Sequence, residues 1–270
     1  MLRLNNRKLM IIILSILITA FCITGCGNSV QTSKKSQSIT VFAAASLTES
    51  FNEIGKQFEK DKGIKVVFNF AGSQALVTSI NEGGKADVFA SANTSCMEDL
   101  KKSNKVDKSI VFAKNQLVIC KNKDSKVNIN SLQDLSKKGV KLIAADKSVP
   151  AGSYFYKALD NAVKEKTIDA DIHSKILNNI KSSELDVKSV VSKIALGEAD
   201  AGIVYKTDIN NSNKDNLDLI ELNEFSKLQV EYPVAVVNSS DKKTEAQEFI
   251  DYITQGKGKE LLKKYGFMVN

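Results

Sequence analysis

The chain has no tryptophan, one histidine and two prolines among 270 residues. A lone His173 excludes any site built on two histidines, such as H-E-x-x-H. It also leaves a Ser-His-Asp hydrolase with one candidate base, and no G-x-S-x-G turn presents a serine. The four cysteines, Cys22, Cys26, Cys96 and Cys120, form no C-x-x-C and no metal-ligand spacing. No G-x-G-x-x-G follows a strand-like run. Gly83-Gly84-Lys85-Ala86 lacks the leading glycine and the Ser/Thr of a P-loop. These absences argue against an enzyme and against a resident cofactor or metal. Basic stripes with interleaved aromatics are missing too, so nucleic-acid binding is not expected.

What is present is ordinary globular composition, 43% hydrophobic and 26% charged, which excludes disorder and fibrous repeats. The N-terminus stands apart. Met1–Lys8 carries Arg3, Arg7 and Lys8 and no acid, and Leu9–Ile23 is an apolar run broken only by Ser15 and Thr19. This is a secretory n-region and h-region, too short for a membrane span of about 20 residues. Thr24-Gly25-Cys26 closes it and resembles a bacterial lipobox. That resemblance implies cleavage after residue 25, a lipid on Cys26 and attachment to the outer face of the cell membrane. Losing three basic residues with the signal lowers the net charge from +7 to about +4. Residues 26–38 are polar and read as a flexible tether. Only Cys96 and Cys120 then remain; spacing does not say whether they pair.

From Ile39 onward strand and helix signals alternate. Ile39–Ala43, Ile64–Phe70, Asp87–Ala90, Ile110–Cys120, Leu142–Ala145, Ala201–Tyr205 and Val234–Val237 read as strands. Leu47–Lys60, Gln74–Asn81, Tyr154–Lys166, Asp186–Gly197 and Thr244–Tyr265 read as helices. The alternation predicts an α/β fold with mostly parallel sheets.

Four places share one pattern, a strand followed by a small-residue turn and a helix start. They are Ala44-Ala45-Ser46, with Ser46 to Glu49 a capping-box signature, then Ala71-Gly72-Ser73, Pro150-Ala151-Gly152 and Leu185-Asp186-Val187. Helix N-termini expose unpaired N–H groups and partial positive charge, so several converging on one point would hold an oxyanion without lysine or arginine. Taken singly, Ser46 and Ser73 are ordinary caps, and Tyr205, ending its strand, is an ordinary core residue. His173 lies in a polar stretch and reads as exposed and inert. Asp87 and Asp200 read as turn residues before buried strands.

VFAAASLTE at Val41–Glu49 resembles the opening of the molybdate-binding proteins of ABC transporters. The resemblance continues through GIKVVFNFAGSQAL, KADVFASA, NQLVI, VPAGSY, LDVKSVVSKIALGEADAGIVYKTD, EYPVAVV and KKYGF, in family order from Ile39 to Phe267. It implies a two-lobed type II periplasmic-binding-protein fold with two crossing hinge strands, near Asn115–Val118 and Tyr232–Val234. One lobe would be 39–115 with 233–270, the other 116–232. It implies that Ser46 and Ser73 bind molybdate through hydroxyl and N–H, Ala151 and Val187 through backbone N–H, and Tyr205 through its phenol. Molybdenum would be bound only as the oxyanion, tungstate, nearly the same size, would also be a ligand that sequence does not separate from it, and the monomer would deliver its ligand to an ABC permease. Gly72 departs from the family, where serine is frequent, without removing a donor. A binder of sulfate or phosphate on the same fold is the alternative, and an interaction protein with a vestigial cleft is a further one.

Overall fold

A computed structural model describes residues 37–269. The expected signal peptide, the Cys26 lipid site and all of the tether except its last two residues lie outside the described residues. No described helix is long and apolar enough to cross a membrane.

The first half opens with β1 (Ser38–Ala44), a short 3-10 turn (Ala45–Leu47) and α1 (Thr48–Lys62). Then come β2 (Lys65–Ala71), α2 (Ser73–Asn81), β3 (Val88–Ala90), α3 (Thr94–Lys102) and β4 (Ile110–Asn115). The local chemistry explains these limits. α1 buries Phe51, Ile54 and Phe58 on one face, a helical spacing. Gly63 ends it in the left-handed region at φ 72°, its N–H bonded to the Glu59 carbonyl at 2.8 Å. α3, which periodicity did not reveal, is started by the Asn93 side chain accepting from the Cys96 N–H at 3.0 Å.

The second half holds β5 (Leu117–Asn122), β6 (Leu142–Ala145), α4 (Pro150–Lys164), α5 (Ala170–Asn179), β7 (Ile180–Glu184), α6 (Val187–Ala195) and β8 (Ala201–Tyr205). It ends with β9 (Leu217–Ile220) and the single turn α7 (Asn223–Ser226). The chain then returns as β10 (Val230–Val236), α8 (Lys243–Gln255) and α9 (Lys257–Lys264).

Two five-stranded sheets result, ordered β2-β1-β3-β10-β4 and β7-β6-β8-β5-β9. The orders correspond strand for strand. In each sheet the strand next to the edge runs antiparallel to its neighbours, β10 in the first and β5 in the second. The other ladders are parallel, joined by crossover helices as parallel pairing requires. Both antiparallel strands are delivered from the other sheet. The strand-like region Ile110–Cys120 is therefore two strands, with the crossing inside the stretch where the resemblance put it. β4 and β5 belong to different sheets and part at Gln116, whose N–H is held by the Asn115 Oδ1 at 2.9 Å. The return occurs between Ile220 and Val230, so Tyr232–Val234 lie inside the first sheet. The β10–β4 register shifts between Tyr232 and Pro233, where proline has no N–H to give.

Ser36–Asn270 forms one compact unit. Over the first sheet, Phe249 of α8 packs edge-on against Phe51 and Phe58 of α1 at 5.8 and 5.4 Å. Such pairs add about 0.5–1.5 kcal/mol beyond their burial. Two carboxylates staple loops where they were expected to shape turns. Asp87 accepts from the Thr40 N–H at 2.7 Å and the Ser240 hydroxyl at 2.6 Å. Asp200 accepts from the Ser125 hydroxyl at 2.6 Å and the Lys141 N–H at 2.8 Å. His173 is not fully exposed: it sits in α5, half-buried, its Nε2 3.5 Å from Asp160. Cys96 and Cys120 are both free and buried.

Candidate functional site

The carboxyl ends of β1 and β2 in the first sheet, and of β6 and β7 in the second, each lead directly or through a short turn into a helix start. Ser46, Ser73, Ala151 and Val187 occupy the first turns of those helical segments. N–H groups there have no carbonyl partner within the helix. The residues preceding three of these starts, Ala44, Gly72 and Val149, supply no side-chain cap. Only Asp186 caps its helix, and it takes the N–H of Ser189, not that of Val187.

These first turns meet at one cavity of about 10 Å³, lined by Ser46, Ser73, Ala151, Val187, Tyr205 and small apolar neighbours. All five residues singled out by resemblance border it. No charged side chain lines it, so its polarity comes from hydroxyls and helix N-termini. Among the described residues no group of three or more His, Cys, Asp or Glu is placed to hold a metal ion.

Neither serine caps its helix. Ser73 is buried and its Oγ accepts from the Ala92 N–H at 3.1 Å, which leaves its own proton free. The Ser46 Oγ lies 2.9 Å from the Tyr232 hydroxyl. The capping box expected from Ser46 to Glu49 does not form, because Glu49 turns outward to the Lys188 ammonium at 2.7 Å.

Tyr205 is 1% exposed, and its hydroxyl has no hydrogen-bond partner among the described residues. A buried hydroxyl left unpaired costs about 1–3 kcal/mol. Burial, reinforced by the nearby Tyr232 and Tyr154 hydroxyls, drives its pKa well above the usual phenol value, so it is a neutral O–H donor. Behind it, Asp208 accepts from the Tyr205 backbone N–H at 3.0 Å and faces the Lys188 ammonium at 3.2 Å. Burial raises the Asp208 pKa, a shift that Lys188 opposes. Burial also works against the Lys188 charge, but Asp208 and Glu49 together outweigh it and raise its pKa.

Lys188 thus ties α6, over the second sheet, to the start of α1, over the first. A second tie joins the same halves, with the Gln74 amide donating to the Leu185 carbonyl at 2.9 Å. Gly72 lies beneath it: a Cβ there would stand 2.4 Å from that carbonyl. Sequence reasoning singled out Ser46, Ser73, Ala151, Val187 and Tyr205, read Glu49 as a capping-box partner, and missed Lys188, Asp208, Gln74 and the contact made by Tyr232. Lys188, Gln74 and Tyr232 each act on a residue distant in sequence, which no local pattern marks.

Residues 39–268 match the family model of the bacterial extracellular solute-binding proteins. Among curated relatives, the molybdate-binding protein ModA of Mycobacterium tuberculosis is 33% identical over 262 residues, covering 93% of this chain and 95% of the relative. The putative ABC transporter substrate-binding lipoprotein YvgL of Bacillus subtilis is 30% identical, covering 93% and 95%. The substrate-binding domain of a putative molybdenum ABC transporter from Clostridium difficile superimposes with a TM-score of 0.64 at 27% identity, covering 87% of this chain and all of that one. The chain belongs to the bacterial extracellular solute-binding proteins.

Proposed function

We propose that this extracellular solute-binding protein captures molybdate, with tungstate as a near-equal, and passes it to an ABC permease. The observation that carries the reading is the cavity itself. First-turn N–H groups from both sheets, the Ser46 hydroxyl, the Ser73 hydroxyl with its proton free and one unpartnered buried phenol border a space without a charged side chain. Burying a dianion is costly unless each oxygen is paired, and hydrogen bonds to charged groups are the stronger class. Ser46 and Ser73 act through hydroxyl and N–H, Ala151 and Val187 through N–H, and Tyr205 through its phenol.

A donor-only site suits an oxyanion that carries no proton. Hydrogen phosphate brings an O–H that needs an acceptor, so phosphate is disfavoured by chemistry and sulfate by its smaller size. The cavity of about 10 Å³ is the space of roughly one water. A four-oxygen anion therefore enters by parting the two sheets and is enclosed as they return, a hinge motion. The strand passages at Gln116 and between Ile220 and Val230 are where the chain crosses between the two lobes. The protein works as a monomeric receptor, not an enzyme, and uses no cofactor. A lipid on Cys26 holds it at the outer face of the membrane.

The test is thermal unfolding of the purified protein with molybdate, tungstate, sulfate or phosphate. An anion at about 100 times its dissociation constant adds about 2.7 kcal/mol, a rise of roughly 5–10 °C for a chain of this size. A rise with molybdate and tungstate alone supports the reading. A rise with sulfate or phosphate instead replaces the ligand, and no rise with any of them refutes oxyanion capture.

A further inference from the structure

We infer that Asn115 and Tyr232 form a directional hydrogen-bond relay that makes Ser46 an obligatory donor, and so set the pocket against oxyanions that carry their own proton. The inference rests on the reading that an oxyanion occupies the cavity.

The direction follows from one backbone contact. The Gln116 N–H is a donor only, so the Asn115 atom it meets at 2.9 Å is the amide oxygen. The amide nitrogen therefore faces the other way, toward the Thr207 Oγ1 at 2.8 Å and the Tyr232 hydroxyl at 3.3 Å. Tyr232 accepts from that nitrogen. Its own proton has one acceptor within reach among the described residues, the Ser46 Oγ at 2.9 Å. Ser46 then accepts from Tyr232, and its proton is left for the cavity.

The reverse arrangement, with Ser46 donating to Tyr232, would strand the Tyr232 proton in a fully buried place. Burial raises the Tyr232 pKa well above the usual phenol value, so the relay does not lose its proton at physiological pH. The Ala92 N–H imposes the same polarity on Ser73 at 3.1 Å. Both serines are thus committed as donors from behind. Tyr232 and Asn115 touch no ligand in this scheme; they are positioning residues.

Tyr232→Phe keeps the ring, which packs edge-on to Phe267 at 5.5 Å, and removes the relay. Ser46 is then free to turn its lone pair into the cavity and accept from a protonated anion. The experiment is calorimetric titration with molybdate and with phosphate at neutral pH, for wild type, Tyr232→Phe, Ser46→Ala and the double variant, each first shown to be folded by its thermal transition. The expected results are a loss of molybdate affinity of about tenfold in Tyr232→Phe and a fall in the molybdate-to-phosphate affinity ratio. Tyr232→Phe should have no further effect on molybdate once Ser46 is alanine.

Equal weakening of both anions, or additive losses in the double variant, would overturn the relay while leaving the site reading intact. Absence of molybdate binding in wild type would overturn the site reading and the relay together. Asn115→Leu provides a second route to the same readout should Tyr232→Phe not fold. It removes the donor that sets the direction, and the ratio should fall again; an unchanged ratio contradicts the relay.

Discussion

Deleting one oxygen atom, in Tyr205→Phe, should act in opposite directions on the protein alone and on its complex. The Tyr205 hydroxyl is buried without a partner, so the protein by itself bears a desolvation cost of about 1–3 kcal/mol that phenylalanine does not. The ring keeps its packing against Tyr232, with centroids 5.8 Å apart. The bond from Asp208 reaches the backbone N–H of Tyr205 and is untouched. The variant without anion should therefore melt a few degrees higher, since about 1 kcal/mol is worth roughly 2–4 °C at this size. With molybdate the sign reverses. A hydrogen bond to a charged group contributes about 1.5–3 kcal/mol, so the affinity should fall by roughly 10- to 150-fold. Thermal scans without anion and calorimetric titration with molybdate read the two effects separately. A lower melting temperature without anion, combined with unchanged affinity, would refute the assignment of this hydroxyl to the ligand.

Other perturbations bear on the ties between the two sheets and on the core. Lys188→Met leaves the buried Asp208 carboxylate without its ammonium and should destabilise by about 2–3 kcal/mol at pH 7, the low end for a buried pair because Lys188 keeps 23% exposure. That deficit should shrink as pH falls through the Asp208 pKa, raised by burial, because a protonated carboxyl no longer needs a partner. In wild type the Lys188 contribution is complete below the ordinary lysine range and disappears as pH rises through its raised folded pKa. Denaturant melts across pH check both signs, and a pH-independent deficit contradicts them. Gly72→Ala suits the backbone, at φ −58° and ψ 137°, but its Cβ would meet the Leu185 carbonyl. It should lower the melting temperature of the protein without anion, since overpacking costs about 1–3 kcal/mol; a wild-type melting temperature would show that this approach is not needed. The Cys96 and Cys120 thiols, pushed by burial to about 11 and about 12, should react with a thiol reagent only on unfolding, and prompt labelling of the native protein contradicts their placement.

Local chemistry by itself determined the alternation of strands and helices and the four helix starts that border the cavity. Small residues before Ser46 and Ser73, Pro150 before Ala151 and Asp186 before Val187 announce those starts because an exposed first turn is a property of a few consecutive residues. Resemblance from Ile39 to Phe267 added Tyr205, which periodicity alone reads as core. Tertiary structure decided the rest. The polar break Lys114-Asn115-Gln116 inside the strand-like stretch Ile110–Cys120 does not say which sheet receives each half; the resemblance put a crossing near Asn115–Val118, and the chain changes sheets at Gln116. The Ser46–Glu49 spacing suggested a cap, but Glu49 found a better partner in Lys188, a cation supplied by another helix. The direction of the Ser46 proton depends on a tyrosine 186 residues away, through an asparagine held by the crossing strand. A hydroxyl turns to suit whatever stands behind it, and what stands behind it is settled only when distant segments pack.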